Sequence, residues 1–275
     1  MMISTRRLHE CIAATCWLAL FLAVPTPVDA ATDEAPASVN EVATCVSANA
    51  PKQSMRQHLE LKTIDPVGDE RTLQVKLEWK RAENDLSKVL LRVSAPPDLR
   101  GSAFLMIERE GRENDLFSYL PELGRVRRVT TRSASGSLFG SDFSYEDVER
   151  LEHLAETGSS RRLADAVIQG RPVYVLEGTP EPDSGSAYSR VVSYVDRERC
   201  VPLRIEFYER VGEIRKVLEA PPEKAVKEGS VWIPTEISMV DRQNGTRSVM
   251  RVEEIELDVE IPDRTFSQGA LERRR

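Results

Sequence analysis

Most of the chain alternates apolar and polar residues with a period of two. In the segment 71–80 (RTLQVKLEWK) every second residue from Leu73 to Trp79 is apolar. This pattern predicts a strand with one apolar face and one solvated face. The segments 86–95 and 102–109 continue it, and short polar turns such as AEND separate them. The first half therefore predicts consecutive antiparallel hairpins.

The second half has the same alternation without a sequence repeat. Asn244 and Gly245 predict a tight hairpin turn, and the alternation of the last segment runs from Ile255 to Ile261. The predicted strands lie in 171–180, 188–196, 201–209, 214–220, 231–241 and 247–261. About ten strands with two or three short helices predict a mainly β protein, with a curved or barrel-like antiparallel sheet.

Few predicted helices are available to cover the apolar face of this sheet. Ser38 and Glu41 form a capping-box pattern that predicts a short amphipathic helix, which ends before Pro51. Two arrangements would cover the rest of the face. Either a second sheet packs on the first, or short helices plug a concave sheet and leave an apolar hollow large enough for a lipid.

The N-terminal residues have the pattern of a secretory signal peptide. Arg6 and Arg7 precede an apolar run (11–24), and small residues predict cleavage after Ala30. A transmembrane anchor is the alternative, but the run is short for a span. We expect a signal peptide (1–30), a single domain (31–275) and an exported protein that is not lipidated, because the residue directly after the cleavage site is not a cysteine.

Composition bears on which class of partner the protein binds and on whether its cysteines are oxidised. Charged residues make up 30% of the chain and the net charge is −7, so nothing favours nucleic acid binding. Cys45 and Cys200 remain after processing, in a compartment that permits oxidation. We expect a disulfide between them, with two separate buried thiols as the alternative.

The segment 136–152 (GSLFGSDFSYEDVERLE) concentrates turns, aromatic rings and carboxylates. Asp142, Glu146 and Asp147 could supply a carboxylate pair for a hydrolase, but any acidic turn offers as much. The sequence contains no metal-ligand, phosphate-loop or nucleophile-elbow motif, so no catalytic residue, metal or cofactor is predicted.

A structural latch explains the same segment better. Ser144 and Asp147 have the spacing of a helix cap, and Asp142 is expected to accept bonds from nearby backbone N–H groups. The residues assigned to this latch are Gly140, Ser141, Asp142, Phe143, Tyr145 and Asp147.

The segment 120–151 resembles the signature of the outer-membrane lipoprotein-sorting family, whose fold is LolA-like. Tyr-Leu-Pro (119–121) precedes a basic strand, and Gly-Ser-Asp-Phe (140–143) leads into Tyr-Glu-Asp (145–147). The resemblance implies an incomplete antiparallel barrel of about eleven strands, closed by short helices around an apolar cavity for acyl chains. It implies no catalytic residue.

The resemblance also implies a function and partners. We expect a monomeric periplasmic carrier of lipid or lipoprotein acyl chains, working with an inner-membrane transporter and an outer-membrane acceptor. The first alternative is an accessory module of an envelope transporter. The second alternative is a carboxylate-dependent envelope hydrolase. Head-group contacts are expected from Arg127 and Arg128, or these arginines are simply solvated. The residues expected to line the cavity, or otherwise to form ordinary core, are Trp79, Leu91, Phe104, Met106, Phe117, Phe207, Trp232 and Met239.

Overall fold

The structure is a computed structural model that describes residues 37–82, 84–152, 159–209 and 212–273. The predicted signal peptide (1–30) lies outside the described residues. From Ala37 onward the chain forms one compact unit.

Within the described residues, thirteen strands form one antiparallel sheet that does not close. The first six are β1 (Ser54–Ile64), β2 (Glu70–Arg81), β3 (Ser87–Ala95), β4 (Ala103–Ile107), β5 (Asp115–Leu120) and β6 (Arg125–Arg128). The next five are β7 (Ser159–Ile168), β8 (Arg171–Thr179), β9 (Arg190–Asp196), β10 (Pro202–Tyr208) and β11 (Ile214–Glu219). After the separate hairpin of β12 (Ala225–Glu228) and β13 (Val231–Pro234) come β14 (Glu236–Asp241) and β15 (Thr246–Leu257).

The sheet consists of two meanders joined in its middle. One runs from β1 to β6 and the other from β7 to β11, and β14 and β15 connect the second to β1. The edge strands β6 and β7 are consecutive in the chain. The prediction of a mainly β protein with one large curved, unclosed antiparallel sheet and few short helices is confirmed.

The inner face of the sheet carries the largest apolar core. Leu59 lies opposite Val75 and Leu61 opposite Leu73, so the alternation predicted for these strands points to one side. The core also includes Phe104, Met106, Phe207 and Met239, all at most 1% exposed. Residues 129–152 cover this face, and they include the helix α2 (Tyr145–Glu152).

A smaller cluster lies on the outer face of β3 to β5. Leu90, Leu105 and Phe117 pack there against the C-terminal segment, which contributes Phe266 and the helix α3 (Gln268–Leu271). The chain therefore covers part of both faces of the sheet.

The last predicted strand ends earlier than its alternation indicates. Strand β15 stops at Leu257, because Asp258 takes a left-handed conformation (φ 52°) that extended backbone does not use. Val259 and Ile261 then pack against the outer cluster. The prediction of a strand as far as Ile261 is wrong.

The predicted N-terminal helix is confirmed as α1 (Val39–Ala48), with a complete capping box between Ser38 and Glu41. Val42 is fully buried against Leu176 and Val195, on the inner side of β8 and β9.

Cys45 of α1 forms a disulfide with Cys200, with the Cα atoms 5.4 Å apart. The alternative of two separate thiols is wrong. A crosslink between residues this far apart in sequence stabilises a fold by roughly 2 to 5 kcal/mol.

Candidate functional site

The segment 129–152 forms a plug on the inner face of the sheet. Leu138 and Phe143 are each 1% exposed, and the rings of Phe104 and Tyr145 lie 5.1 Å apart. Val148 and Leu151 of α2 pack against the same core. The apolar face that the sequence left uncovered is therefore covered mainly by this one segment.

A compact turn sets the path of the plug. Phe139 and Gly140 both take left-handed backbone conformations (φ 56° and 80°), which glycine adopts without cost. The amide of Leu138 donates to the carbonyl of Phe143 at 2.7 Å, and the hydroxyl of Ser141 donates to the carbonyl of Leu138 at 2.7 Å. The turn thus directs Phe143 into the core.

Asp142 connects the plug to the sheet. Its carboxylate accepts hydrogen bonds from the hydroxyls of Thr246 and Ser248 on β15, the second at 2.6 Å. The Asp142 amide donates back to the Ser248 hydroxyl at 2.8 Å. We expected nearby backbone N–H groups as donors to this carboxylate, and that part of the prediction is wrong.

Asp147 is the centre of a buried polar cluster under α2. It forms a capping box with Ser144, whose hydroxyl accepts from the Asp147 amide at 3.1 Å. The carboxylate also accepts from Lys216 at 2.9 Å and from the Tyr188 hydroxyl at 2.7 Å. Burial and the charges of Asp147 and Glu146 raise the pKa of Tyr188, so it remains a neutral donor.

Glu146 holds α2 against the loop that precedes β9. Its carboxylate accepts from the Arg150 guanidinium, the Ser186 hydroxyl and the Ala187 amide. Each carboxylate proposed for a hydrolase is therefore bonded by groups of the protein itself. This arrangement suits a structural role for all three acids.

The predicted cavity residues fall into three locations. Leu91, Phe104, Met106, Phe207 and Met239 lie together in the inner core beneath or beside the plug. Phe117 lies on the opposite face, under the C-terminal segment, so its assignment to an inner cavity is wrong.

Trp232 is the third location. It lines a cleft at one end of the sheet together with Trp79, which is also part of the inner core.

Arg127 and Arg128 do not act as a pair, because they alternate across β6. Arg128 lies opposite Phe117 and binds Asp115 at 3.0 Å, whereas Arg127 lies opposite Ser118 and is exposed. Burial opposes ionisation of Asp115, but bonds and charges from Arg109, Arg112 and Arg128 outweigh it and lower the pKa. A head-group site that uses both arginines has no support in this geometry.

The cleft has a volume of about 350 Å³. Its apolar walls come from Met55, Trp79, Leu151, Val201 and Trp232, and polar groups such as Glu108 and Arg81 lie among them. Pockets for small ligands occupy roughly 300 to 1,000 Å³, so this cleft is at the small end of that range.

Hydrogen bonds fix the position of both tryptophans. The Asn49 side chain donates to the Trp232 carbonyl at 2.9 Å and accepts from the Trp232 amide at 2.7 Å, which ties the end of α1 to β13. The Trp79 indole N–H donates to Glu152 at 2.9 Å. The Cys45–Cys200 disulfide lies in the same region, since Cys200 also lines the cleft.

Within the described residues, no group of three or more His, Cys, Asp or Glu side chains could hold a metal ion. Among the same residues, no helix is long and apolar enough to cross a membrane.

The open thirteen-stranded sheet with an inner plug defines the class of this protein, a LolA-like open barrel. A solved outer membrane lipoprotein-sorting protein domain from Vibrio parahaemolyticus is 26% identical, with a TM-score of 0.77 over 86% of this chain and 98% of that one. A DUF1329 family protein from Desulfovibrio piger is 23% identical, with a TM-score of 0.78 over 85% and 97%. A LolA superfamily protein from Nitrosomonas europaea is 22% identical, with a TM-score of 0.65 over 85% and 99%.

A family model described as "Uncharacterized protein" matches residues 85–273, and the chain belongs to that family. The resemblance to outer-membrane lipoprotein-sorting proteins of LolA-like fold is confirmed. No curated protein matches the sequence.

Proposed function

We propose that this protein is a non-enzymatic periplasmic carrier that binds the acyl chains of a lipid or lipoprotein, on the way toward the outer membrane. The observation that carries the proposal is the cleft at the end of an open barrel, lined by Met55, Trp79, Leu151 and Trp232. Its LolA-like fold supports the assignment to a sorting role.

The inner core would accommodate the part of the acyl chain that extends beyond the cleft only if the plug moved. Leu151 lines the cleft and also packs on the inner core, so the cleft is continuous with the plug. An acyl chain that enters beside Leu151 would replace contacts now made by the plug. Each buried methylene contributes about 0.8 kcal/mol, so ten of them contribute about 8 kcal/mol before binding costs.

The tryptophans provide a direct test of this proposal. Trp79 and Trp232 are the only tryptophans after residue 17, and both line the cleft. Delipidated protein purified from the periplasm would be titrated with dibromostearate, whose bromine atoms quench an indole on contact. We expect saturable quenching that unlabelled stearate reverses. Trp79→Phe and Trp232→Phe would show that both indoles contribute.

A polar substitution in the cleft completes the test. Leu151→Gln should weaken dibromostearate binding at least tenfold, because it places an amide against the acyl chain. The matched control is Leu123→Gln, at a residue that is 40% exposed and outside the cleft. Quenching that does not saturate, or that both variants leave unchanged, would refute a carrier that uses this cleft.

The packed plug favours a second candidate, a non-carrying accessory module of an envelope transporter. Phe104, Phe143 and Phe207 are at most 1% exposed, as in an ordinary filled core. For such a module, the quenching experiment would show no saturable binding while the fold stays intact by circular dichroism.

A further inference from the structure

A second and larger groove lies on the outer face of the sheet, and its charge differs from that of the acidic chain as a whole. It has a volume of about 760 Å³ and runs between the outer faces of β1 to β3 and the C-terminal segment (262–273). The cations that line it are Arg56, Lys76, Arg92, Arg100, Arg264 and Arg273, against two carboxylates, Glu78 and Asp98. This basic groove contrasts with the net charge of −7.

The carboxylates of the groove already have partners. Glu78 binds Lys76 at 2.9 Å and contacts Arg56 at 3.5 Å, and Asp98 binds Arg71 at 3.0 Å. Arg56 also binds Glu256, at 2.8 Å. The acids that neutralise the groove therefore act on its β1 and β2 side and on the Asp98 loop.

The arginines of the C-terminal segment, and Arg100 on the same loop as Asp98, have no such neutralisation. Arg264 and Arg273 are exposed, and neither forms an ion pair with any residue that the structure describes. Arg100 donates through its Nε to the carbonyl of Ser94 at 3.0 Å, which leaves its terminal nitrogens directed away from that bond. Three guanidinium groups thus border one groove without a carboxylate partner in the described chain.

The backbone that carries Arg264 and Arg273 is held in place. Arg92 donates to the carbonyls of Ala270 and Leu271 at 2.7 and 3.1 Å, at the end of α3. Phe266 and Leu271 are buried in the outer cluster, and Lys80 binds Asp263 at 3.0 Å. The groove is therefore a built feature with fixed walls.

We propose that this basic groove binds a phosphate ester, with Arg264, Arg273 and Arg100 as its ligands. Guanidinium groups bind phosphate oxygens through paired N–H donors, and repulsion between unpaired cations is relieved by an anion. The volume exceeds that of a bare phosphate, and Leu90, Pro121 and Pro262 offer apolar contact to the rest of the molecule. The phosphate could belong to a lipid head group or to a soluble ester. This site is separate from the cleft and does not depend on acyl-chain binding.

Two measurements on the full chain separate the sources. Calorimetry with glycerol 3-phosphate tests a soluble ester, in 20 mM and 300 mM NaCl. Flotation with vesicles of phosphatidylcholine, with or without 30% phosphatidylglycerol, tests a lipid head group. Binding in either arm should weaken with salt, because the contacts are exposed.

The variants decide whether the groove is responsible. Arg264→Gln/Arg273→Gln should reduce binding at least tenfold, while Arg264→Lys/Arg273→Lys should restore part of it. The control Arg242→Gln/Arg247→Gln removes the same charge from exposed positions outside the groove and should bind as the parent does. All variants should keep the parent melting temperature within a few degrees, since these side chains are exposed.

The outcomes are distinct. If Arg264→Gln/Arg273→Gln loses the binding of glycerol 3-phosphate in calorimetry, the ligand is a soluble phosphate ester. If this variant loses only the flotation with phosphatidylglycerol vesicles, the ligand is a phospholipid head group. No binding in either arm, or equal losses in the groove variant and the control, would overturn the proposal. Intact dibromostearate quenching in the groove variant would show that the two sites are independent.

Discussion

Replacing Asp142 by alanine should destabilise the protein by about 2 to 4 kcal/mol, whereas Asp142→Asn should cost about 1 to 2 kcal/mol. The alanine variant removes the acceptor for two hydroxyls of β15, and Ser248 is 0% exposed, so water cannot replace the carboxylate there. Hydrogen bonds to a charged acceptor contribute about 1.5 to 3 kcal/mol, and an unpaired buried hydroxyl costs about 1 to 3 kcal/mol. Asparagine retains one oxygen that can accept.

The measurement is urea unfolding of the parent, Asp142→Ala, Asp142→Asn and Asp142→Ala/Ser248→Ala. Because the two side chains are in contact, the double-mutant cycle should give a coupling of about 1 to 3 kcal/mol. Asp183→Ala is the control, at an exposed aspartate with no side-chain bond among the described residues, and should change stability by less than about 0.5 kcal/mol.

Two results would contradict the latch. A coupling near zero would mean that Asp142 and Ser248 do not stabilise one another. An Asp142→Asn variant as damaged as Asp142→Ala would mean that the negative charge, and not the acceptor geometry, is what the site needs. A stable Asp142→Asn variant that loses a measurable hydrolytic activity would instead favour the catalytic interpretation.

Three further predictions concern other parts of the same structure. Phe143→Ala should lower the free energy of unfolding in urea by about 3 to 5 kcal/mol, because the ring is 1% exposed. If the plug competes with the acyl chain, the same variant should raise the affinity for dibromostearate. An unchanged stability would contradict the packing. Reduction of Cys45–Cys200 should lower stability by roughly 2 to 5 kcal/mol, measured by melting with and without dithiothreitol. Burial opposes ionisation of Asp196, but hydrogen bonds from Arg171 and from backbone N–H groups outweigh it, so the pKa of Asp196 is lowered. Stability should therefore fall as the pH drops below about 4. Asp196→Asn should flatten that fall, and Asp183→Asn should not.

Features that depend on neighbouring residues could be predicted from the sequence. The capping boxes of α1 and α2 use residues three positions apart, and both form. The alternation in 71–80 gives β2 with its apolar side inward. With two cysteines left after residue 30, the disulfide had only one pairing to test.

Features that depend on distant residues could not be predicted. Asp142 is bonded to Thr246 and Ser248, more than a hundred residues away. A signal existed, because these two hydroxyl residues alternate on the inner side of β15, where apolar residues are the rule. Such residues on an apolar face indicate a buried polar partner, although not which one.

The choice of face failed where both faces of the sheet are covered. In 116–120 (LFSYL) either set of alternating residues could point inward, and the prediction placed Phe117, from the aromatic set, inside. Leu116 lies inside, while Phe117 and Tyr119 lie outside, because the C-terminal segment supplies a second apolar partner. Strand β7 escaped prediction for a related reason, since this edge strand carries two arginines and an aspartate without regular alternation.

The balance between polar and apolar contacts bears on whether the plug can move. Directional hydrogen bonds hold the plug to the rest of the fold, because Asp142 accepts from the Ser248 hydroxyl, Glu146 from the Ser186 hydroxyl and Asp147 from Lys216. Bonds of this kind contribute about 1.5 to 3 kcal/mol each, so the three together amount to about 5 to 9 kcal/mol. Ten methylenes of an acyl chain contribute a similar amount when buried, about 8 kcal/mol. The plug also buries apolar side chains, and Phe143 alone contributes about 3 to 5 kcal/mol. An acyl chain can therefore displace the plug without unfolding the sheet only if it also replaces these apolar contacts, and a plug weakened at Asp142 should yield to the acyl chain more readily.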